Sequence, residues 1–494
     1  MTSAPPSSAE TTAPAPGGAA GTPTTPRRAA EPHVEGRHPG FSVAALCIAG
    51  LAVSLSQTMV VPIQGRLPEL LGSTASATAW VITVTLLAGA VAMPVAGRLA
   101  DMLGKQRVVV ASVVMLLVGC VISALASSLV PMLIGRGLQG AAMGLVPVGI
   151  ALMRQITPPQ MAGQAIAAMS ATLGVGGAIA LPLSAWIVQV GSWHWLFWVS
   201  AALSAAVLVF VLAAVPHVHD KHEGLTFDVP GAVGLTVGLV ALLVGISRGS
   251  SWGWGSASTL GCIIGGAVVL AAWVALELRV AQPLVDIRTT ARPVVLLTNV
   301  AAIAVGFGLM AQMVAIPQLL QLPEATGVGL GQSLLAAGLW MAPSGLMMMI
   351  CAPISARMIA TIGPKPTLAI GAFVIGLGYV AGRLLMGAPW QLLVATIVIA
   401  AGVGIAYAAM PTLVLDAVPA AEAGSAVGVN ALARAIGTTT ASAVIATIIT
   451  SDLGPTGAPS ADSFHTSFVV GGAVAILGAL VALTIPARRR QRAA

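Results

Sequence analysis

A short polar string, Gly97–Arg107, separates two long apolar segments of a very hydrophobic chain. Its glycines, Gly97 and Gly104, allow a tight turn between two helices. Its carboxylate, Asp101, can cap the start of a helix, or pair with Arg107 or with the end of a neighbouring helix. The chemistry offered by this spacing is an electrostatic latch between helices, which can be made in one state of the protein and released in another. The alternative is an ordinary basic loop.

A second polar group lies inside an apolar segment. Arg136, Gln139 and Gly140 stand at positions i, i+3 and i+4 and therefore share one helix face. Gly140 and Gly144 form a small-xxx-small surface for close helix packing. An arginine inside a membrane is costly and marks a functional candidate. The alternative is that Arg136 extends its guanidinium to the nearby interface.

Single polar or adaptable side chains in other apolar segments are candidates for lining a central cavity. They are Gln57, Thr58, Asn299, Gln312, Tyr407, Asn430 and Arg434. The alternative for each one alone, and the more common case, is a hydrogen bond between two helices.

Other kinds of chemistry find little support in the sequence. The cluster His217–Glu223 has a spacing that fits no standard helical zinc pair, so we predict no metal site. There is no G-x-x-x-x-G-K-[ST] string, so we predict no ATP as partner. The apolar segments hold no nucleophile–base pair, and we expect no enzyme, no cofactor and no nucleic-acid partner.

The composition of the chain indicates which kind of structure holds these residues in place. The chain has 494 residues, of which 57% are hydrophobic and only 7% are charged. Because a bilayer core about 30 Å thick needs about 20 apolar helical residues per crossing, the sequence predicts an all-α membrane protein. We expect fourteen crossings, at 41–63, 76–96, 106–127, 131–152, 163–188, 195–215, 229–247, 257–276, 294–316, 328–350, 367–387, 390–411, 425–449 and 466–486.

The crossings suggest two six-helix bundles with an inserted central pair. The string Ile354–Pro366 looks like a degraded copy of Gly97–Arg107, and the two coincide in two halves if crossings 7 and 8 are an insertion. The expected parts are a disordered cytoplasmic tail 1–40, a bundle 41–215, a loop and inserted pair 216–290, a bundle 291–486 and a basic cytoplasmic tail 487–494.

Basic residues predict the orientation. An even number of crossings puts both termini on one side, and nearly all arginines and lysines outside the crossings then share that side. Only Arg66, Arg248 and Arg383 would lie opposite. Since positive loops remain in the cytoplasm, we expect cytoplasmic termini.

The polar strings resemble motifs of the major facilitator superfamily. Gly97, Leu99, Asp101, Gly104, Lys105 and Arg107 match its loop signature between helices 2 and 3, whereas Met102 does not. Arg136, Gln139 and Gly140 resemble its fourth-helix motif, and this resemblance implies a role for Arg136 in proton or substrate handling. Gly177 and Pro182 match the fifth-helix motif of its exporters, but Leu181, Ala185 and Trp186 replace three glycines. We therefore expect a kink at Pro182 and weaker close packing.

Further strings resemble the fourteen-helix drug–proton antiporters, the branch of the EmrB and QacA exporters. These strings are Leu225–Ala232, Ser250–Gly261, Pro283–Arg288 and Ala421–Gly437. The branch often has Leu-Asp-x-Thr in its first helix, where this chain has Ser56 in place of the carboxylate. Coupling through Asp101, Asp416, Glu324 or an arginine-linked site stays open.

The resemblance implies export of small hydrophobic or amphipathic compounds, drugs or a natural product, from a bacterial plasma membrane. It implies a small organic substrate and the lipid bilayer as partners, the proton as coupling ion, and alternating access between two bundles. One alternative is an importer or facilitator of another solute. A second is a membrane sensor or scaffold that transports nothing.

Overall fold

The computed structural model describes residues 39–216, 226–454 and 457–486, and almost all of these residues are helical. Within these ranges fourteen helices are long and apolar enough to cross a membrane, which confirms the predicted number. Their bounds are α1 Pro39–Leu70, α2 Ala75–Leu103, α3 Lys105–Ala124, α4 Leu129–Ile156, α5 Pro159–Val190, α6 His194–Ala214, α7 Val229–Trp252, α8 Ala257–Glu277, α9 Pro293–Gln321, α10 Leu334–Thr361, α11 Pro364–Leu384, α12 Pro389–Ala417, α13 Ala420–Ser451 and α14 Ala461–Thr484.

Several helices run beyond the predicted apolar segments. α2 ends at Leu103 and α10 at Thr361, whereas hydropathy ended these crossings at 96 and 350. A hydropathy pattern marks the part of a helix that needs lipid, and a helix continues into polar sequence until a residue such as Gly104 stops it. Most of the polar string Gly97–Arg107 is therefore helical rather than loop, and the sequence prediction was wrong on this point.

Helix packing divides the membrane-spanning part into two bundles and a pair. Helices α1 to α6 pack among themselves, as do α9 to α14, while α7 packs mainly on α8 and also against α2 and α13. The bundles meet along α2–α13 and α5–α10. We call the membrane face on which α1 begins and α14 ends the termini face. The cluster His217–Glu223 and both predicted tails, except Pro39 and Gly40, lie outside the described residues.

The backbone repeats itself between the two bundles. Gly104 joins α2 to α3 with φ +98°, and Gly363 joins α10 to α11 with φ +93°. Such φ values suit glycine, because a Cβ would clash with the backbone. A proline inside the preceding helix stands ten residues earlier in each copy, Pro94 and Pro353. In this alignment Ala360 occupies the position of Asp101, so only one copy carries the carboxylate.

Candidate functional site

Asp101 joins the two bundles at the termini face. Its Oδ1 accepts a hydrogen bond of 3.0 Å from the backbone N–H of Gly424, and its Oδ2 one of 2.8 Å from Ser425. Both donors belong to the first turn of α13, where N–H groups have no partner within the helix. The carboxylate is 2% exposed and lies at the positive end of the helix dipole. Of the interactions considered from the sequence, the one formed is with a neighbouring helix end.

Glycines let α2 and α13 approach closely enough for these bonds. A Cβ on Gly97 would lie 2.3 Å from the carbonyl oxygen of Gly424, and one on Gly428 would lie 2.5 Å from that of Met93. The expected turn-forming role of Gly97 is therefore wrong. It lies inside α2 and removes a side chain from a helix contact, whereas Gly104 provides the turn.

Two basic residues of the string Gly97–Arg107, Lys105 and Arg107, differ in their surroundings. Lys105 begins α3 and is buried, while Arg107 is exposed and makes no contact with Asp101. A second ionic tie lies at the same face, where Arg154 of α4 and Asp416 of α12 are 2.9 Å apart with side chains 40% and 42% exposed. Because water screens an exposed pair, this tie is weaker than that of Asp101.

Arg136 is enclosed within the first bundle rather than extended to the interface. Its side chain is 1% exposed, and its guanidinium donates to the carbonyl oxygen of Ser56 at 3.0 Å and to Oε1 of Gln139 at 2.7 Å. Longer bonds reach the carbonyl oxygens of Val81 and Gln57. All these acceptors are neutral. The buried cation is therefore solvated by dipoles from α1, α2 and α4 without an opposite charge.

The Gln139 amide completes this network. Its Nε2 donates to the carbonyl oxygen of Gly119 and to Oγ of Ser123 on α3, each at 3.1 Å. Gly140, one residue further, allows contact with α2, since a Cβ there would lie 2.3 Å from the carbonyl oxygen of Thr85. The structure therefore brings the three residues of the fourth-helix string to one junction of helices.

The fifth-helix string lies where the bundles meet. Pro182 is inside α5, and its backbone nitrogen would be 3.3 Å from a Cβ on Gly338 of α10. Gly177 has space for a side chain, because a Cβ there would lie 3.7 Å from its nearest neighbour, the hydroxyl oxygen of Thr58. The expected loss of close packing does not occur. Other glycines bring α5 and α10 together, since a Cβ on Gly345 would lie 2.8 Å from the carbonyl oxygen of Gly174.

Four of the candidate cavity residues form a cluster in the second bundle. Asn430 of α13 donates to Oδ1 of Asn299 on α9 at 2.9 Å, and Arg434 donates to Oδ1 of Asn430 at 2.7 Å. The guanidinium carbon of Arg434 lies 5.2 Å from the ring centre of Tyr407 on α12, a cation–π distance. All four side chains are less than 9% exposed.

The remaining candidates lie apart from this cluster. Gln57 and Thr58 are half-buried on α1, and the Thr58 hydroxyl donates within its own helix. Gln312 is fully buried on α9, and its amide atoms find no hydrogen-bond partner in the described part of the chain. Sequence reasoning missed Gly424 and Ser425. Their signal was present in the string Ala421–Gly437, but the bonding groups are backbone N–H, which every residue type except proline has.

Metal ligands do not gather anywhere in residues 39–216, 226–454 and 457–486, where no three His, Cys, Asp or Glu side chains could share an ion. The arrangement offers instead a tie between bundles at one membrane face, together with the buried guanidinium groups of Arg136 in the first bundle and Arg434 in the second.

Comparisons with known proteins agree on one family. The sequence matches the family model described as Major Facilitator Superfamily over residues 46–438 and 298–494. Uncharacterized MFS-type transporter Rv1877 of Mycobacterium tuberculosis is 29% identical over 306 residues, 61% of this chain and 44% of the relative. The chain thus spans less than half the length of that relative.

Two further matches extend the comparison. The Multidrug resistance protein B homolog of Mycobacterium tuberculosis is 27% identical over 375 residues, 74% of this chain and 68% of the relative. The solved structure of the proton:xylose symporter XylE superposes with a TM-score of 0.65 at 13% identity, covering 91% of this chain and 96% of that chain. At this identity the superposition concerns the fold alone.

Proposed function

This chain belongs to the Major Facilitator Superfamily and is a multi-pass membrane transporter, and we propose that it exports small hydrophobic or amphipathic organic molecules, drugs or a natural product. The name of the Multidrug resistance protein B homolog, to which 74% of the chain aligns, supports export. The proposed location is a bacterial plasma membrane with the termini face in the cytoplasm. The arginines and lysines of the even-numbered connections support this orientation.

The observation that carries the mechanism is the tie between Asp101 and the start of α13. It joins the two bundles at the termini face through charge-assisted hydrogen bonds that a small tilt would break. Because the bonds are made in one arrangement of the bundles and lost in another, they stabilise the state that is closed at this face. Alternating access follows if substrate or a coupling ion shifts the balance between the two states.

Proton influx is the proposed driving force. Two carboxylates at the termini face, Asp101 and Asp416, take part in ties between the bundles. Protonation of either would weaken its tie and favour opening. The buried network of Arg136 and Gln139 is a further candidate, because it joins four helices of one bundle.

An importer or facilitator of another solute is the second candidate. The observation that favours it is Ser56, whose hydroxyl and carbonyl oxygen lie in the Arg136 network where related exporters often have a carboxylate. Without that acid, transport need not be coupled to protons.

The test is dye efflux from cells that lack their main exporters. Wild type is compared with Asp101→Asn and Arg136→Ala, with and without a protonophore. We expect wild-type efflux that collapses with the protonophore and with either substitution. Efflux that survives the protonophore would reject proton coupling and favour the facilitator. Absence of efflux for every dye, at normal membrane expression, would reject multidrug export.

A further inference from the structure

Arg434 lies near the middle of α13, where a membrane is least polar. Its side chain is 6% exposed, and its backbone is fixed by α9, because a Cβ on Gly306 would lie 2.4 Å from the Arg434 carbonyl oxygen. Asn430 holds one guanidinium nitrogen at 2.7 Å, and the Tyr407 ring lies against the guanidinium face. The cation is thus fixed in place before any ligand arrives.

One edge of this guanidinium is free. Nη1 donates to Asn430, whereas Nε and Nη2 have no hydrogen-bond partner among the described residues. Unlike Nε of Arg98 and Nε of Arg248, these two nitrogens are not shut off from solvent. The Tyr407 hydroxyl likewise has no hydrogen-bond partner among the described residues, although the residue is only 4% exposed. Two N–H groups and one O–H group in the described part of the chain therefore keep an unused capacity to hydrogen-bond a ligand.

No carboxylate balances the charge. Arg434 makes no ion pair within the described ranges, and neither does Arg136 in the other bundle, whose donors all go to neutral oxygens. Asp101 is bound to the start of α13, and Asp416 is paired with Arg154. In the described part of the chain, neither buried guanidinium group is therefore paired with a carboxylate, which leaves its positive charge uncompensated.

We propose that the transported molecule carries an acidic oxygen group, a carboxylate, that binds the free edge of Arg434 beside the Tyr407 hydroxyl. A guanidinium edge with two parallel N–H groups matches a carboxylate in both charge and geometry. A cationic substrate would be repelled by the same group. This inference rests on the proposed export function and narrows its substrate class from amphipathic compounds to amphipathic acids.

The test compares two probes that differ only in charge. The fluorescent carboxylic acid BODIPY FL propionic acid and its methyl ester are titrated against purified protein in nanodiscs, with fluorescence anisotropy as readout. We expect the wild type to bind the acid at least tenfold more tightly than the ester. Equal affinity for the two, or no binding of the acid, would overturn the proposal, and this comparison needs no variant.

Variants then assign the effect to one side chain. Arg434→Gln should lose the preference for the acid. Arg434→Lys should keep part of it, because lysine retains the positive charge but lacks the two parallel N–H donors of a guanidinium. Arg383→Gln is the matched control, since it removes an exposed arginine of the same bundle that contacts His465. An unchanged acid preference in Arg434→Gln would assign recognition elsewhere and overturn the proposal.

Transport in everted vesicles separates the two levels of inference. Transport of the ester at the same rate as the acid would support export and reject the acidic substrate class. Acid bound through Arg434 but neither probe transported would leave the binding site standing and reject export of these compounds.

Discussion

The Asp101 carboxylate accepts a hydrogen bond of 2.8 Å from the backbone N–H of Ser425, 324 residues further along the chain. One helix of the first bundle is thereby fastened to the first turn of a helix in the second. The donor is a backbone group with a fixed direction, so the bond reports the relative position of two helices rather than two flexible side chains. Breaking it requires the bundles to move.

Neutralising Asp101 should open the termini face. Hydrogen bonds to a charged acceptor contribute about 1.5–3 kcal/mol, and Asp101→Asn replaces one acceptor oxygen by an N–H group that faces another donor. A loss of about 2 kcal/mol would shift the equilibrium between states roughly 30-fold. The measurement is maleimide labelling of Ala426→Cys, a buried position in the same interface, after replacement of the four native cysteines.

Asp462→Asn is the control for that experiment, because it neutralises an exposed carboxylate at the opposite end of the molecule. Labelling that rises equally in both variants, or in neither, would contradict the role assigned to Asp101.

Alanine at Gly97 should separate α2 from α13. The added Cβ would lie 2.3 Å from a backbone oxygen that cannot rotate away, and overpacking of this kind typically costs about 1–3 kcal/mol. We expect lower thermal stability in detergent and little transport. Gly163→Ala is the matched control, since Gly163 is also helical and a Cβ there has open space within 4 Å. Similar behaviour of the two variants would show that close approach of α2 and α13 is dispensable.

A carboxylate at position 56 should change which charge the transporter accepts. The Ser56 hydroxyl is 3.3 Å from Oε1 of Gln139, the atom that also accepts from Arg136. Ser56→Asp would therefore place an acid within reach of the guanidinium and offset its charge. We expect efflux of a cationic dye to rise several-fold relative to that of the acidic probe. Ser56→Asn keeps the size without the charge, and an equal result with Asn would reject the electrostatic explanation.

The exposed pair Arg154–Asp416 should matter much less than Asp101. With both side chains about two-fifths exposed, we expect a coupling free energy below about 1 kcal/mol that falls further at high salt. A double-mutant cycle with Arg154→Ala and Asp416→Asn, read from maleimide labelling at position 426, measures this directly. Coupling as large as the Asp101 effect would instead make the two ties equal partners.

The two turn glycines should respond alike to substitution. Gly104 and Gly363 have φ +98° and +93°, where a Cβ costs about 1–3 kcal/mol in backbone strain. Gly104→Ala and Gly363→Ala should each lower the midpoint of thermal unfolding by several degrees, while Gly65→Ala, in open space at ordinary φ, should not. A difference between the first two would argue against the backbone repeat.

Hydropathy predicted the helices well because every crossing needs a long apolar segment, whatever its neighbours are. It could not predict that α2 continues to Leu103, since the polar residues of the last turns lower the hydropathy there. Gly97 was misread for the same reason. A glycine in a charged string suggests a turn, and only the partner helix shows that it removes a side chain from a contact.

The candidate site was predictable in its parts but not in its pairings. The position of Arg136 and Gln139 on one face followed from their spacing, and they do bond to each other. That Asn299, Asn430 and Arg434 form one chain of hydrogen bonds depends on the packing of α9 against α13, and residues 299 and 430 are 131 positions apart. Local sequence patterns cannot predict a contact between residues so far apart in the chain.

The turn at Gly104 has a mechanical consequence. α2 ends at Leu103 and α3 begins at Lys105, so a single residue transmits any displacement of one helix to the next. A connection of one residue restricts independent motion of the two helices, whereas a longer loop would allow it. A displacement of α2 at Asp101 is therefore passed to α3, and from α3 to α4 and α6, which pack against it. These helices of the bundle should then move together.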